Sequence, residues 1–204
     1  MKKYFLVFIL FFSFSIFSQN GDIDLLKKIN SSYTSKGGSV FTFVTNSVDY
    51  GGIGLPIGLF ATGIIRKDKV MTMNSYELIT STIVGSILTT TMKFSFDRTR
   101  PFVTYPNDVT KYTKAGSKSF PSGHTSMAFA TATSISLMYP KWYIIAPSFL
   151  WASSIGYSRM YLGVHYPSDV FIGALIGSGS SIASHYLIKA LQRDRKRKAI
   201  ENKL

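Results

Sequence analysis

A histidine and an aspartate four residues apart, His165 and Asp169, follow shortly after Arg159 in the second half of the chain. A base and a carboxylate at this spacing can meet across one helical turn, and an arginine suits the oxygens of a phosphate. A carboxylate that accepts a hydrogen bond from one ring nitrogen leaves the other nitrogen unprotonated and able to act as a nucleophile. Because Pro167 is well suited to begin a helix, we expect His165 just before a helix N-terminus, where an anion is favoured. The pattern predicts phosphoryl transfer.

A second polar cluster, Pro121-Ser122-Gly123-His124, also predicts the start of a helix. Gly123 lets the backbone approach a phosphate closely, while the Ser122 hydroxyl and the free N–H groups of the first turn can donate to its oxygens. The alternative for His124 and His165 is that both are core histidines satisfied by backbone carbonyls. The chain has only three histidines and two fall inside these clusters, which favours the functional interpretation.

Three cations are candidates for binding the phosphate. Lys93 is followed after six residues by Arg100-Pro101, and Arg159 lies in the later run. Positive groups at such positions would neutralise the charge that spreads over the equatorial oxygens in the transition state. Arg98 lies in the same loop but outside the pattern, so it receives no role.

The three motifs, in this order, resemble those of the type 2 phosphatidic acid phosphatase superfamily, which also contains the vanadium-dependent haloperoxidases and the bacterial class A acid phosphatases. The family pattern is Lys-x6-Arg-Pro, Pro-Ser-Gly-His and Ser-Arg-x5-His-x3-Asp, and every specified position is filled within about residues 75 to 190. The resemblance implies that His165 attacks phosphorus to form a phosphohistidine, that Asp169 orients it, and that His124 protonates the departing alkoxide.

The chain of 204 residues is long enough for one catalytic domain. Its composition favours a protein that lies in a membrane. The net charge is +13, but the chain is also 46% hydrophobic with a mean hydropathy of +0.16, which suits a membrane better than a soluble nucleic-acid binder. We therefore expect a phosphorylated, anionic membrane lipid as substrate and no nucleic-acid partner. The sequence carries no signal of oligomeric state.

We expect no metal and no cofactor in the reaction. There is no cysteine, so a thiolate metal site is excluded. Asp97 and Asp108 are the only other acids near the motifs, and they form no carboxylate cluster for Mg²⁺ or Ca²⁺. Two histidines without further ligands make a poor zinc site. Metal-independent chemistry is also what the resemblance implies for a phosphatase.

Four regions are predicted along the chain. A basic start and an apolar run over residues 4–17 are typical of a secretory signal peptide cleaved near residues 18–20, with an uncleaved signal anchor as the alternative. We therefore assign residues 1–19 to a signal peptide or anchor, 20–47 to an amphipathic or connecting segment, 48–192 to the phosphatase helical bundle and 193–204 to a basic C-terminal tail.

The predicted fold class is all-α, a multi-pass membrane bundle of the type 2 phosphatidic acid phosphatase and haloperoxidase type. Apolar segments at about 41–65, 76–94, 125–139, 142–157 and 169–190 are too long, and too poor in alternation, to be strands. A short amphipathic helix is expected at 22–36, ended by Gly37-Gly38. Gly173, Gly177 and Ser181 form a small-residue stripe that would let helices approach closely. His185, one turn further on, is expected to make an interhelical hydrogen bond.

Basic loops predict the orientation in the membrane. Positive charge lies at residues 66–69, at Lys141 and at 193–198. If these face the cytoplasm, all three motifs lie on the other side. The expected location is the bacterial inner membrane, with the active site facing the periplasm or the outside. The alternative is a soluble bundle in the periplasm after signal cleavage.

The leading functional hypothesis is a phosphatase that hydrolyses a phosphomonoester or pyrophosphate of a membrane lipid. Candidate substrates are phosphatidic acid, phosphatidylglycerol phosphate, undecaprenyl pyrophosphate and lipid A. The alternatives are a soluble exported acid phosphatase of broad specificity, a vanadate-dependent haloperoxidase and a non-enzymatic lipid-binding membrane protein.

Overall fold

Helices account for most of residues 21–201, which are the residues that the computed structural model describes. Residues 21–31 are helical and are called α1. The helices that follow are α2 Ser35–Asp49, α3 Leu55–Ile65, α4 Lys69–Phe96, α5 Pro101–Thr104, α6 Gly123–Met138, α7 Trp142–Tyr161 and α8 Pro167–Glu201. No β-strand occurs within this range, and the predicted all-α fold class is confirmed. The predicted signal segment, residues 1–19, lies outside the described residues.

Within residues 21–201, two helical stretches are long and apolar enough to cross a membrane. One is the stretch Ser35–Ile65, in which a single π-helical turn, Tyr50–Gly54, joins α2 to α3. The other is Pro167–Asp194 in α8. Large apolar side chains point outward on several helices: Phe43, Ile65 and Trp142 are each exposed by 78% or more. Such surfaces are typical of helices that face lipid.

The expectation that Gly37-Gly38 ends a helix was wrong. The break lies earlier, at residues 32–34, and Thr34 caps α2 by accepting a hydrogen bond from the Gly37 amide at 3.1 Å. The two glycines lie inside α2 because aromatic rings press against them. A Cβ on Gly38 would lie 2.2 Å from the Tyr33 hydroxyl, and one on Gly37 would lie 2.4 Å from that of Tyr161. The two glycines are therefore explained by the close packing of tyrosine side chains against α2, and not by a reversal of the chain.

The small-residue stripe of α8 makes a close helix contact, as predicted, and its partner is the backbone of α6. A Cβ on Gly173 would lie 2.6 Å from the Ser122 carbonyl oxygen, and one on Gly177 would lie 2.1 Å from that of Ser126. Further along, Ser181 and Ser134 share a hydrogen bond of 2.7 Å between their hydroxyls. The close contact fixes the start of α8 against the start of α6, where two of the predicted motifs lie.

Replacing Gly177 with alanine is expected to destabilise the protein by about 1–3 kcal/mol, because the added methyl group must push α8 away from α6. Gly179→Ala is the matched control, since nothing lies within 4 Å of its Cβ position and alanine is the better helix former. Thermal unfolding in detergent, followed by circular dichroism, should show a lower midpoint for Gly177→Ala alone. Equal midpoints for the two variants would contradict the backbone contact.

Candidate active site

The loop between α7 and α8 brings the third motif together. Gly163 has a φ of +72°, in the left-handed region that favours glycine, and it lets the chain reverse just after α7 ends. The Val164 amide then donates to the Arg159 carbonyl at 3.0 Å. Pro167 begins α8, as expected, and Asp169 lies in its first turn. Arg159 lies in the last turn of α7, within electrostatic reach of His165.

His165 and Asp169 form a buried pair in which Nδ1 of the ring lies 3.3 Å from Oδ2 of the carboxylate. The same Oδ2 accepts from the Ser119 hydroxyl at 2.5 Å and from the Tyr166 amide at 3.0 Å. Burial lowers the pKa of His165 to about 3, although Asp169 opposes the shift. The imidazole is therefore neutral at physiological pH, with Nδ1 donating to Asp169 and Nε2 carrying the free electron pair.

Arg100 lies directly against Nε2 of His165. Its Nη1 is 3.2 Å from Nε2 of His165 and donates to the Val164 carbonyl at 2.7 Å, while its Nε donates to the Gly116 carbonyl at 2.6 Å. These two carbonyls fix the plane of the guanidinium. An oxyanion that approaches Nε2 meets the positive charge of Arg100 at once.

Arg159 is buried with an incomplete set of partners. Its side chain donates from Nη1 to the Thr45 hydroxyl at 2.8 Å, but its Nε has no hydrogen-bond partner within the described part of the chain. A buried guanidinium that contacts a neutral hydroxyl is costly unless an anion joins it. The arrangement therefore favours an anionic ligand beside Arg159.

Lys93 is tied to the loop that leads into α6. Its ammonium donates to the Pro121 carbonyl at 2.8 Å and lies 3.3 and 3.4 Å from the carbonyls of Lys118 and Ser119. The structure thus places this cation at the site, but its present contacts are with the backbone. Its positive charge lies within electrostatic reach of Arg100 and Arg159, and these three cations are called the phosphate cage below. The hydrogen bonds of Lys93 hold the second motif in place.

The second motif begins α6 as expected, with Ser122 as N-cap and Gly123 as the first helical residue. The Ser122 amide donates to the Asp169 carbonyl at 3.0 Å, which joins the starts of α6 and α8. Its hydroxyl accepts from the Thr125 hydroxyl at 2.8 Å. His124 lies in the first turn, within electrostatic reach of Arg159, Arg100 and Lys93. All the predicted site residues therefore gather at one end of the bundle.

Four polar residues of this region were missed from the sequence. Ser119 and Arg98 bind Asp169, Asp22 binds Arg98, and Thr45 binds Arg159. The sequence position of Arg98 could have indicated a role in the site, because Arg98 lies between Lys93 and Arg100 of the first motif. The positions of Asp22 and Thr45 could not, since they belong to α1 and α2, far from the motifs in sequence.

The arrangement can receive one tetrahedral anion and attack it. Nε2 of the neutral imidazole lies 3.2 Å from Nη1 of Arg100, and Arg100, Arg159 and Lys93 are all within electrostatic reach of His124 in the first turn of α6. Donors and positive charge of this kind stabilise the oxygens of a phosphoryl group. Among residues 21–201, no group of three histidines or carboxylates is placed to hold a metal ion.

Known proteins resemble this chain in sequence. The family model of the PAP2 superfamily matches residues 75–193. An undecaprenyl-diphosphatase of Sulfolobus acidocaldarius is 28% identical over 196 residues, which cover 90% of this chain and 91% of that protein.

Two solved structures have the same fold. A crystal structure of LpxE from Aquifex aeolicus superposes with a TM-score of 0.71 at 36% identity and covers 81% of this chain and 94% of its own. That of a transmembrane PAP2-type phosphatidylglycerolphosphate phosphatase from Bacillus subtilis gives a TM-score of 0.71 at 22% identity, covering 93% and 94%. The predicted resemblance is confirmed, and the chain belongs to the PAP2 superfamily.

Proposed function

We propose that this protein is a metal-independent phosphatase that hydrolyses a phosphomonoester or a pyrophosphate of a membrane lipid through a phosphohistidine. The observation that carries the proposal is the neutral, buried His165, which Asp169 holds and which lies within electrostatic reach of Arg159, whose Nε has no hydrogen-bond partner in the described chain. This pairing supplies a nucleophile and an anion site in one cage. The similarity to an undecaprenyl-diphosphatase supports the same activity and a lipid substrate.

The reaction has two balanced steps. In the first, the electron pair on Nε2 of His165 forms a bond to phosphorus while the bond from phosphorus to the leaving oxygen breaks, and His124 protonates that oxygen. Burial and the nearby cations lower the pKa of His124 to about 4, so His124 takes up this proton from solvent when the bound phosphate balances those cations. In the second, a water molecule attacks phosphorus, His124 accepts its proton, and the phosphorus–nitrogen bond breaks to release phosphate. Arg100 and Arg159 stabilise the charged oxygens throughout, so Arg100 exchanges its contact with Nε2 for one with the substrate.

A groove between α4 and α6 supports a lipid as the substrate. The groove encloses a cavity of about 160 Å³ that touches Lys93 and Gly123 at the cage and continues past Thr82, Met127 and Ala130 along the helices. A substrate whose phosphate lies in the cage can therefore extend its chain between α4 and α6. The exposed apolar side chains of the bundle fit a lipid environment for this groove.

The protein lies in a membrane in this proposal, and the order of the helices supports the orientation. The helices α4 and α7 end at the cage, whereas α6 and α8 begin there. The basic residues at 66–69, Lys141 and 193–198 consequently lie at the opposite end of the bundle. Under the positive-inside rule that end is cytoplasmic. We infer a multi-pass protein of the bacterial inner membrane with its active site on the periplasmic side.

The test is phosphate release by the full chain in detergent micelles across four lipids: phosphatidic acid, phosphatidylglycerol phosphate, undecaprenyl pyrophosphate and lipid A. Glucose 6-phosphate serves as the soluble comparator, and each assay is run with and without EDTA. We expect release from at least one lipid to exceed that from glucose 6-phosphate and to be unchanged by EDTA. Faster release from the soluble ester would favour the acid phosphatase alternative, and loss in EDTA that Mg²⁺ restores would contradict metal independence.

A further inference from the structure

Arg98 holds the catalytic carboxylate from the side away from the nucleophile. Its Nη1 donates to Oδ1 of Asp169 at 2.8 Å and to the Ser168 hydroxyl at 2.7 Å. Its guanidinium also stacks on the Tyr166 ring, 3.8 Å from the centroid. Within the described part of the chain, Arg98 is the one side chain that donates to Oδ1, whereas Oδ2 serves His165. Arg98 and His165 therefore bind different oxygens of the Asp169 carboxylate.

A second carboxylate, from α1, completes this arrangement. Asp22 is almost fully buried, and its Oδ2 accepts from Nη2 of Arg98 at 2.8 Å. The same residue binds the start of α8, because its oxygens accept from the Ser168 amide at 2.8 Å and from the Ser168 hydroxyl at 2.5 Å. Asp22 thus neutralises Arg98 and supplies the capping acceptor that the first turn of α8 needs.

We propose that Arg98 and Asp22 are positioning residues that fix the rotation of the Asp169 carboxylate and thereby aim Nε2 of His165 at the substrate. This inference rests on the proposed roles of His165 and Asp169. A guanidinium that binds one oxygen from a fixed direction prevents the carboxylate from turning about its χ2 angle. Without that bond, only the Ser119 hydroxyl and the Tyr166 amide hold Oδ2 toward Nδ1, and the imidazole loses part of its orientation.

Arg98 differs in this respect from the cations of the phosphate cage. Its donors contact two carboxylates and a hydroxyl, whereas Nε of Arg159 has no partner in the described chain. Burial would lower the pKa of Arg98, but Asp169 and Asp22 outweigh burial and raise it. Arg98 is therefore a permanent cation whose charge is already balanced, and it acts through Asp169 instead of through the substrate.

The experiment compares Arg98→Ala, Arg98→Lys and Asp22→Asn in the full chain, with steady-state hydrolysis of the best lipid from the panel. Lys27→Ala is the matched control, because Lys27 also ties α1 to the neighbouring loop through a 2.9 Å ion pair with Asp108. We expect kcat to fall about 10- to 100-fold in Arg98→Ala, as is typical when the partner of an active-site ligand is removed. KM should change by less than about threefold, since the substrate does not touch Arg98.

Three further readouts separate positioning from general stability. Added guanidinium should restore part of kcat in Arg98→Ala but none in His165→Ala. Arg98→Lys should keep part of kcat, because an ammonium can hold Asp169 but does not reproduce the planar fork. The double variant Arg98→Ala/Asp22→Asn should lie within about threefold of Arg98→Ala, because the two residues act as one unit. Lys27→Ala should keep the kcat of the unaltered protein.

Failure of this inference and failure of the proposed function would give different kinetic results. Unchanged kcat in Arg98→Ala, with His165→Ala inactive, would overturn this inference and leave the proposed function standing. A raised KM at unchanged kcat would also overturn it, by making Arg98 a substrate-binding group. Full activity of His165→Ala would instead overturn the proposed function. Should Arg98→Ala not fold, Arg98→Lys and Asp22→Asn decide the question by the same division between kcat and KM.

Discussion

Replacing His165 with alanine is expected to reduce phosphate release by about ten-thousand-fold or more, because the reaction loses the atom that bonds to phosphorus. Arg100, which lies 3.2 Å from Nε2, remains protonated and cannot attack in its place. Substrate labelled with ³²P in the transferred group should leave acid-labile label on the unaltered protein after rapid quenching. The variant should carry no such label.

The matched control is His185→Asn. His185 is buried and its Nδ1 lies 2.9 Å from Glu77 of α4, so it forms the interhelical hydrogen bond expected from the sequence and lies far along α8 from Asp169. Asparagine can still donate to Glu77. This variant should retain both label and activity. Label that persists in His165→Ala but disappears in His185→Asn would falsify the assignment of the nucleophile.

Replacing His124 with alanine should cost about 100- to 10,000-fold on a lipid phosphate, which is the usual contribution of a general acid. The expected loss depends on the leaving group. An alkoxide needs a proton as the bond to phosphorus breaks, whereas the nitrophenolate released from p-nitrophenyl phosphate is stable without one. Formation of the phosphohistidine should therefore slow far less with p-nitrophenyl phosphate than with the lipid, whereas its hydrolysis loses the same general base with either substrate.

The two substrates together form the internal control, because a misfolded or poorly assembled site would lose both activities alike. Kinetics of His124→Ala with each substrate, normalised to the unaltered protein, give the comparison. Equal losses in the rate of phosphohistidine formation with the two substrates would contradict proton donation by His124 and would leave it a role in binding the phosphate. Burst kinetics with p-nitrophenyl phosphate would then show whether the phosphohistidine still forms.

Much of the site could be predicted because its residues lie within short motifs with strong local rules. Pro167 sets the start of α8, so the position of His165 just before a helix and of Asp169 in its first turn followed from spacing alone. Ser122 and Gly123 begin α6 for similar reasons. The stripe of Gly173, Gly177 and Ser181 likewise indicated a close helix contact, although the partner helix could not be named from the stripe.

Contacts that depend on the three-dimensional path of the chain could not be predicted. Asp22 reaches Arg98 across 76 positions and Thr45 reaches Arg159 across 114, and no periodicity encodes such pairs. The error at Gly37-Gly38 has the same origin. Glycine is a reliable helix breaker only when no tertiary contact needs its small size, and here the rings of Tyr33 and Tyr161 need it.

The unbroken length of α8 has a consequence for how substrate must reach the enzyme. At about 1.5 Å per residue, Asp169 and Arg193 lie about 36 Å apart along one helix, which exceeds the roughly 30 Å hydrocarbon core of a bilayer. In the proposed orientation, catalysis is therefore restricted to one leaflet. A lipid phosphorylated in the other leaflet has to be flipped before hydrolysis, and its dephosphorylated product has to be flipped back before reuse. For such a lipid, and in this orientation, turnover in a cell is coupled to the rate of transbilayer lipid movement.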